Sequence, residues 1–227
     1  GKIEVQFMAG HSLGEYSALV CAGAMQFKDA IQLVRKRGLF MQQAVPVGIG
    51  TMAAILGLDD DKVEDACQRA AQSQIVQPAN YNSPGQLVIA GHIEAVERAV
   101  ELCKEAGAKR AMVLPVSGPF HSELMKPAAE KFEEVISAVE IQKPSCPILQ
   151  NATNEFETDP STIRDNLVKQ IASPVRWTQA INLLADKGVE SLIEVGPGKV
   201  LTGLNRRINK ALAGKSVGTV SEIESYL

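Results

Sequence analysis

The sequence predicts an α/β protein with two parts: a hydrolase-like core built on a parallel sheet, and an inserted ferredoxin-like α+β small domain. Three observations predict this fold. Strand and helix signals alternate along the 227 residues, as is typical of α/β proteins. A Gly-x-Ser-x-Gly motif lies between a strand signal and a helix signal near the start of the chain. The order β-α-β-β-α-β follows in the middle of the chain, which is the split unit of ferredoxin-like domains.

The motif at residues 10–14 reads Gly-His-Ser-Leu-Gly and has the pattern of a nucleophile elbow, a strained turn that exposes a serine above a sheet. Residues 5–9 before it are predicted as a strand, and residues 13–24 after it as a helix. Because a Cβ on either side of such a turn is expected to clash, the two glycines suit the strained conformation. The flanking elements therefore make Ser12 a candidate nucleophile.

Residues 50–115 are predicted to form the inserted small domain, which divides the core into residues 1–49 and 116–227. Three aspartates at residues 59–61 are expected to cap its first helix. The dipeptide Pro84-Gly85 is the expected centre of a type II turn between its two middle strands. Its elements are expected in the order strand 51–58, helix 59–70, strand 75–80, strand 86–90, a helix that carries Val96, Ala99, Val100 and Cys103, and strand 111–116.

The rest of the core continues the alternation of helices and strands. Pro160 is expected to begin a helix, since proline is common at the first helical position. The remaining elements are predicted as helix 29–43, helix 126–139, strand 147–150, a helix from Trp177, strand 191–195 and a helix after the Gly-Pro-Gly at residues 196–198.

Composition excludes several classes of function. The formal net charge is −3 and aromatic residues are scarce, so we expect no nucleic-acid partner. No apolar run is long enough to span a bilayer and no signal peptide opens the sequence, so no membrane role is expected. The four cysteines lack Cys-x-x-Cys spacing, which favours free thiols in the cytoplasm and no metal site.

A serine nucleophile needs a base, and the chain has three histidines. His11 adjoins Ser12 and is expected to point away from its reactive side, while His92 is expected at a surface or cap. His121 lies in an irregular loop, where functional residues concentrate, and is therefore the candidate base. No aspartate between Ser12 and His121 has the character of an orienting carboxylate, so a backbone carbonyl is an alternative partner for the imidazole. The aspartates considered, all expected as caps or on solvated faces, are Asp29, Asp59, Asp60, Asp61 and Asp65.

An arginine beside an apolar helix stripe could present its guanidinium to a substrate carboxylate. Arg37 lies four residues from both Leu33 and Met41 on the helix predicted at 29–43. Arg35 is placed almost as well, and periodicity alone does not choose between them.

These motifs together resemble the malonyl-CoA–acyl carrier protein transacylases of bacterial fatty-acid synthesis, over nearly the whole chain and in order. The resemblance implies that Ser12 attacks a malonyl thioester with His121 as general base, and that Arg37 pairs with the malonyl carboxylate. It also implies that the backbone carbonyl of Gln170 orients His121 and that the N–H of Leu13 is an oxyanion donor. The segments that carry the resemblance are residues 10–19, 37–38, 80–86, 119–122 and 194–198.

The resemblance further implies substrates and partners: malonyl-CoA, the phosphopantetheine thiol of holo acyl carrier protein, no cofactor, and a monomer. Asn80 and Asn82 are expected along the pantetheine path, although turn residues of this type have an equally simple structural explanation. Phe120, together with Leu13, resembles the malonyl-selective members. Four basic residues are expected to receive the acidic carrier protein, namely Lys109, Arg110, Arg206 and Arg207.

One departure from the family pattern concerns the start of the chain. Members of the family carry an N-terminal Gly-Gln-Gly loop whose glutamine supplies a second oxyanion N–H, and this sequence has none. We therefore expect the printed sequence to lack an N-terminal part of the fold, and the intact protein to be active. Loss of one oxyanion donor typically lowers turnover by about 10²–10³.

Two other functions remain open from the sequence. The first is a serine hydrolase or thioesterase with the same Ser-His pair, which differs in passing the acyl group to water. The second is a non-catalytic module that binds acyl groups or carrier protein.

Overall fold

The computed structural model describes residues 4–225, which contain nine strands, nine α-helices and a one-turn 3₁₀ helix at Glu123–Met125. The strands are β1 (Met8–Ala9), β2 (Gly50–Leu56), β3 (Val76–Ser83), β4 (Gln86–His92), β5 (Arg110–Val113), β6 (Ile148–Leu149), β7 (Phe156–Glu157), β8 (Ser191–Val195) and β9 (Ala213–Val217). The helices are α1 (Gly14–Cys21), α2 (Phe27–Gln43), α3 (Asp60–Ala71), α4 (Ile93–Glu105), α5 (Lys126–Ile136), α6 (Pro160–Ala172), α7 (Trp177–Asp186), α8 (Val200–Ile208) and α9 (Val220–Glu224).

The core expected at residues 1–49 and 116–227 contains two parallel strand pairs within the described residues, as the sequence predicts. Strand β1 pairs in parallel with β6, which pairs antiparallel with β7, and β8 pairs in parallel with β9. Helices α1, α2, α5 and α6 bury one apolar cluster against β6, including Leu19, Leu33, Phe132, Ile163 and Ile148. Because α1 follows β1 directly, residues 10–13 lie at the carboxyl end of a parallel strand, where ligand sites of α/β folds form.

The middle of the chain forms a four-stranded antiparallel sheet in the order β3-β4-β2-β5. Helices α3 and α4 cover one face of it and share a separate apolar core with the sheet, to which Val63, Val96, Ile55 and Leu87 contribute. This order is that of the ferredoxin-like unit. We propose residues 50–115 as an inserted small domain between residues 1–49 and 116–227, because this core is distinct from that of the helices around β6.

The turn between β3 and β4 is at Pro84-Gly85, with φ of +69° at Gly85. Proline cannot take a positive φ, so a type II turn is the tight turn that this pair can form. The turn also contacts the end of β2, because the N–H of Gly57 donates to the carbonyl of Gly85 at 2.7 Å.

The structure differs from the sequence expectations in three local features. The first strand is restricted to Met8–Ala9, because only these residues pair with β6. Asp59 occupies the N-cap position of α3, yet its side chain makes no capping hydrogen bond and instead lies 3.5 Å from Lys62 Nζ. Gly14 has open space where a Cβ would be, so only the first glycine of the elbow is required sterically.

None of the helices between residues 4 and 225 combines the length and the apolar character that crossing a bilayer needs.

The two elbow glycines make a matched test of the turn. A Cβ on Gly10 would lie 1.9 Å from the backbone carbon of Gly14, whereas a Cβ on Gly14 meets nothing within 4 Å. We expect Gly10→Ala to lower the free energy of unfolding by about 3 kcal/mol through backbone overpacking. Gly14→Ala should change it by less than about 1 kcal/mol. Urea unfolding midpoints of the two variants measure the difference, and equal midpoints would contradict this account of the turn.

Candidate active site

Ser12 lies on the turn between β1 and α1 with φ of +52°, a left-handed conformation that a non-glycine residue adopts at a cost of about 1–3 kcal/mol. Two side chains hold its backbone. The Ser12 N–H donates to Asn151 Oδ1 at 2.7 Å, and Gln170 Nε2 donates to the Ser12 carbonyl at 3.0 Å. Hydrogen bonds to the peptide groups on both sides of Ser12 thus hold the strained turn.

His121 reaches this serine from the loop between β5 and the one-turn helix at Glu123–Met125. Its Nε2 lies 2.8 Å from Ser12 Oγ, although the two residues are 109 positions apart in sequence. His121 is buried and has φ of +59°, so it also occupies the left-handed region. The structure therefore brings the predicted nucleophile and the predicted base into hydrogen-bond contact.

The partners of the other imidazole nitrogen are backbone carbonyls. His121 Nδ1 lies 3.1 Å from the carbonyl of Gln170 and 3.2 Å from that of Ser173. Both carbonyls are at the carboxyl end of α6, where the helix dipole is negative, and the Gln170 carbonyl also accepts the backbone N–H of Ser173 at 3.3 Å. These acceptors require a proton on Nδ1, so Nε2 is left to accept the Ser12 hydroxyl proton. No carboxylate between residues 4 and 225 takes this position.

His121 is neutral at physiological pH. Burial, and to a smaller extent the positive charge of Arg37, lower the pKa of His121 to about 3, against the opposing effect of the Gln170 and Ser173 carbonyls. A neutral imidazole can accept the serine proton, which is what a general base must do.

Arg37 on α2 is buried, and its Nη2 donates to Ser12 Oγ at 2.7 Å and to Gln170 Oε1 at 2.9 Å. Its guanidinium carbon also lies 5.7 Å from the ring centre of Tyr16. Arg35, the alternative left open by the sequence, is exposed on the same helix. The tertiary structure therefore places Arg37, and not Arg35, beside the nucleophile.

Leu13 and Phe120 flank the serine and the histidine in the chain. The N–H of Leu13 has no hydrogen-bond partner within residues 4–225, and the Leu13 side chain is exposed. Phe120 is half-buried and packs against Met52 and its neighbours in the small domain's sheet. The free N–H next to Ser12 fits an oxyanion donor.

The other predicted polar residues lie near the small domain. Asn82 Oδ1 accepts a hydrogen bond from His11 Nε2 at 3.0 Å, so His11 points toward the small domain, and burial lowers the pKa of His11. Asn80 is buried in β3, where its backbone forms an isolated parallel β-bridge with Val175. His92 accepts the N–H of Ile75 at Nδ1 and has a structural role.

The four predicted carrier-protein residues are all exposed. Arg207 Nη1 donates to Gln86 Oε1 at 2.9 Å, next to the turn that joins β3 and β4. The Lys109 side chain packs over Gly57, whose N–H bonds to the same turn. One member of each basic pair therefore lies near the same hairpin tip, although the pairs are about 100 positions apart in sequence.

Sequence reasoning missed Glu15, Asn151 and the side chain of Gln170. Glu15 is fully buried, and Asn151 bonds to Ser12 and also donates from Nδ2 to the carbonyl of Gly10 at 2.8 Å. Asn151 follows β6 at its carboxyl end, a position where α/β proteins bind ligands, and this signal could have identified it. No comparable signal marked Glu15, because a glutamate in a first helical turn is ordinary.

Within the part of the chain that the structure describes, no three or more His, Cys, Asp or Glu side chains form a group that could hold a metal ion.

Comparison with known proteins identifies relatives of this chain. The acyl transferase domain family matches residues 2–224. The malonyl CoA-acyl carrier protein transacylase of Escherichia coli K12 is 54% identical over 97% of this chain and 71% of its own length. The corresponding protein of Bacillus subtilis is 51% identical over 98% of this chain and 70% of its own length.

Two solved structures extend the comparison. An acyl carrier protein S-malonyltransferase from Vibrio cholerae superposes with a TM-score of 0.97, is 54% identical, and is matched over 99% of this chain and 74% of its own. A malonyl-transacylase in complex with a type II polyketide synthase acyl carrier protein superposes with a TM-score of 0.96, is 50% identical, and is matched over all of this chain and 74% of its own.

The lowered pKa of His121 has a measurable effect on stability. Between its ordinary pKa of 6.5 and about 3, the unfolded state binds one proton more than the folded state, so stability falls as the pH falls. We expect the wild type to lose about 2 kcal/mol more than His121→Gln between pH 7 and pH 5, by urea unfolding. Glu15, whose pKa is raised to about 7, has the opposite effect but is common to both proteins. Parallel pH curves would contradict the prediction.

Proposed function

This chain belongs to the malonyl-CoA–acyl carrier protein transacylases of the acyl transferase family, and we propose that Ser12, His121 and Arg37 carry out its malonyl transfer. The activity moves a malonyl group from malonyl-CoA to acyl carrier protein. The observation that carries the residue assignment is the contact of Arg37 Nη2 with Ser12 Oγ at 2.7 Å, in a site where His121 Nε2 contacts the same oxygen at 2.8 Å. A buried cation next to a nucleophilic oxygen suits an acyl group that itself carries a carboxylate.

In the first half-reaction, the Ser12 hydroxyl gives its proton to His121 Nε2 as Oγ attacks the thioester carbon of malonyl-CoA. The N–H of Leu13 donates to the carbonyl oxygen of that thioester, which becomes the oxyanion of the tetrahedral intermediate. The carbon–sulfur bond then breaks, and His121 returns the proton to the sulfur of coenzyme A. The product is a malonyl ester on Ser12.

In the second half-reaction, the phosphopantetheine thiol of acyl carrier protein attacks this ester. His121 takes the thiol proton and returns it to Oγ when the carbon–oxygen bond breaks, which restores the serine. The Gln170 and Ser173 carbonyls stabilise the imidazolium that exists in each half-reaction, since each accepts a hydrogen bond from the Nδ1–H of His121. All proton transfers use His121, so the chemistry needs no cofactor.

Arg37 sets the acyl specificity in this proposal. The carboxylate of a malonyl group gives the buried guanidinium of Arg37 a counter-ion. A neutral acyl group would leave that guanidinium without one. Leu13 and Phe120 border the space around the acyl group, and Asn80 and Asn82 are proposed along the path of the pantetheine arm.

The carrier-protein docking surface is proposed at the two basic pairs, Lys109 with Arg110 and Arg206 with Arg207, one member of each of which lies near the β3–β4 hairpin tip. Their charge suits an acidic carrier protein. We further propose that the protein acts as a monomer. We also propose that it acts in the cytoplasm, since its four cysteines are all free thiols, as in a reducing compartment.

Covalent labelling with malonyl-CoA tests the role of Ser12. Wild type should gain the mass of one malonyl group by intact mass spectrometry, and Ser12→Ala should gain none.

Arg37→Ala should lower kcat/KM for malonyl-CoA about 100-fold, because hydrogen bonds to a charged group are lost, while the rate with a neutral acyl-CoA falls much less. Arg35→Ala is the matched control, since Arg35 is exposed on the same helix.

Unchanged malonyl kinetics in Arg37→Ala would overturn the role of Arg37. Acylation of Ser12 followed by release of free malonate, with no transfer to holo acyl carrier protein, would instead favour the serine hydrolase. Absence of any label on wild type would favour the non-catalytic binding module.

Charge reversal at one basic pair tests the proposed docking surface for acyl carrier protein. The double variant Arg206→Glu with Arg207→Glu should slow association with acyl carrier protein about tenfold at low salt and flatten the salt dependence, because surface charges act mainly on association rates. Lys28→Glu with Lys131→Glu makes the same change in net charge at two other exposed positions and is the control. Stopped-flow binding at several salt concentrations measures both, and equal slowing in the two variants would rule out a local docking surface.

A further inference from the structure

Glu15 is a fully buried carboxylate that the transfer steps above do not use. It lies in the first turn of α1, three residues after Ser12. Its Oε2 accepts hydrogen bonds from the backbone N–H of Asn151 at 2.9 Å and from Gln170 Nε2 at 3.0 Å. Its Oε1 has no partner within residues 4–225.

Burial of this carboxyl group is costly. Desolvation raises the pKa of Glu15 to about 7, against the lowering effects of its two hydrogen bonds and of Arg37. An apolar side chain of the same volume would avoid the cost of burying a charge. The residue at this position is therefore poorly explained by stability alone, and its contacts indicate what else it does.

Two acceptors determine which way the Gln170 amide points: Glu15 Oε2 and the backbone carbonyl of Ser12 each accept a hydrogen bond from Gln170 Nε2 at 3.0 Å. An amide has a donor at one end and an acceptor at the other, whereas Glu15 Oε2 acts as an acceptor here, since it also accepts the backbone N–H of Asn151. Glu15 Oε2 therefore requires Nε2 of Gln170 to face it. The amide oxygen is left to face Arg37, where it accepts from Nη2 at 2.9 Å. A reversed amide would set an N–H against the N–H of Arg37.

We propose that Glu15 is a positioning residue for acyl selectivity, which holds the Gln170 amide in the orientation whose oxygen keeps Arg37 beside Ser12. The chain of contacts runs from Glu15 Oε2 through both ends of the Gln170 amide to Arg37 Nη2 and on to Ser12 Oγ, with no link longer than 3.0 Å. This inference rests on the proposed function, because selectivity for a carboxylated acyl group is assigned there to Arg37.

Selectivity is the property that this arrangement controls. A malonyl group needs the guanidinium at a fixed distance from Ser12, because its carboxylate is joined to the acyl carbon by one methylene. An acetyl group makes no contact with the guanidinium. Loss of the correct Gln170 orientation therefore weakens the reaction of malonyl-CoA and leaves that of acetyl-CoA less affected.

Asn151 offers a matched comparison in the same cluster. Its side chain holds the elbow through Ser12 N–H and the carbonyl of Gly10, but makes no hydrogen bond to Gln170 or Arg37. A loose elbow should slow acylation by every substrate equally, since it displaces the nucleophile itself. A role of Glu15 in elbow stability alone would have the same signature.

The experiment compares kcat/KM for Ser12 acylation by malonyl-CoA and by acetyl-CoA in four variants. Glu15→Met keeps the side-chain volume and removes the acceptor, so the ratio of malonyl to acetyl rates should fall about tenfold or more. Glu15→Gln should keep the ratio within about twofold of wild type, because its Oε1 can accept both hydrogen bonds. Asn151→Ala should lower both rates and leave the ratio unchanged. Glu101→Gln, at an exposed position on α4, is the control for a change of charge.

Three results would overturn the inference: an unchanged ratio in folded Glu15→Met, a Glu15→Gln variant as impaired in ratio as Glu15→Met, or a ratio that falls equally in Asn151→Ala. Urea unfolding shows which variants are folded. If Glu15→Met is not, Gln170→Met must lower the ratio in the same way, and an unchanged ratio there overturns the inference too.

Failure of the proposed function gives a different result from failure of this inference. In the first case, wild type shows no Ser12-dependent acylation by malonyl-CoA. In the second, wild type is acylated normally and prefers malonyl-CoA, and the Glu15 variants do not change that preference.

Discussion

The site depends on the hydrogen bonds of Gln170, a buried residue at the carboxyl end of α6. Its backbone carbonyl accepts from His121, its amide oxygen accepts from Arg37, and its amide nitrogen donates to the carbonyl of Ser12 and to Glu15. One residue therefore relates the positions of the nucleophile, the base and the cation. Because Gln170, His121, Arg37 and Glu15 are buried, each lost partner leaves an unsatisfied polar group, and the arrangement is held as a unit.

The rigid core explains how two strained residues can persist in this site. Ser12 and His121 both have left-handed φ values, which cost free energy that the surrounding structure must supply. Helix α1 begins two residues after Ser12 and helix α6 ends two residues after Gln170, and both bury their apolar faces in the same cluster around β6. The reacting groups are thereby placed on well-packed elements, and little reorganisation is needed when substrate binds.

The electrostatics of the site favour a neutral base beside a fixed positive charge. Burial and Arg37 both lower the pKa of His121, while the carbonyls at the end of α6 hold its second nitrogen protonated. A carboxylate partner for the histidine would have opposed this balance by raising the pKa. In the proposed function, the negative charge that balances Arg37 arrives with a carboxylated acyl group, so the same Arg37 that lowers the pKa of His121 would also recognise the substrate.

Local pattern alone was enough to predict the elbow, the order of elements in the small domain, the type II turn and, by counting histidines, the pair of Ser12 and His121. Each of these depends on backbone preferences or on a rare residue type, which the sequence states directly. It could not choose between Arg35 and Arg37, since both lie near the apolar stripe of α2, and it missed Glu15 and Asn151. Their roles come from contacts across more than 130 positions, which only the packing of α1, α6 and β6 decides. Similarly, the steric need for Gly10 and the freedom at Gly14 follow from how closely the backbone approaches itself at the turn, a distance that no motif encodes.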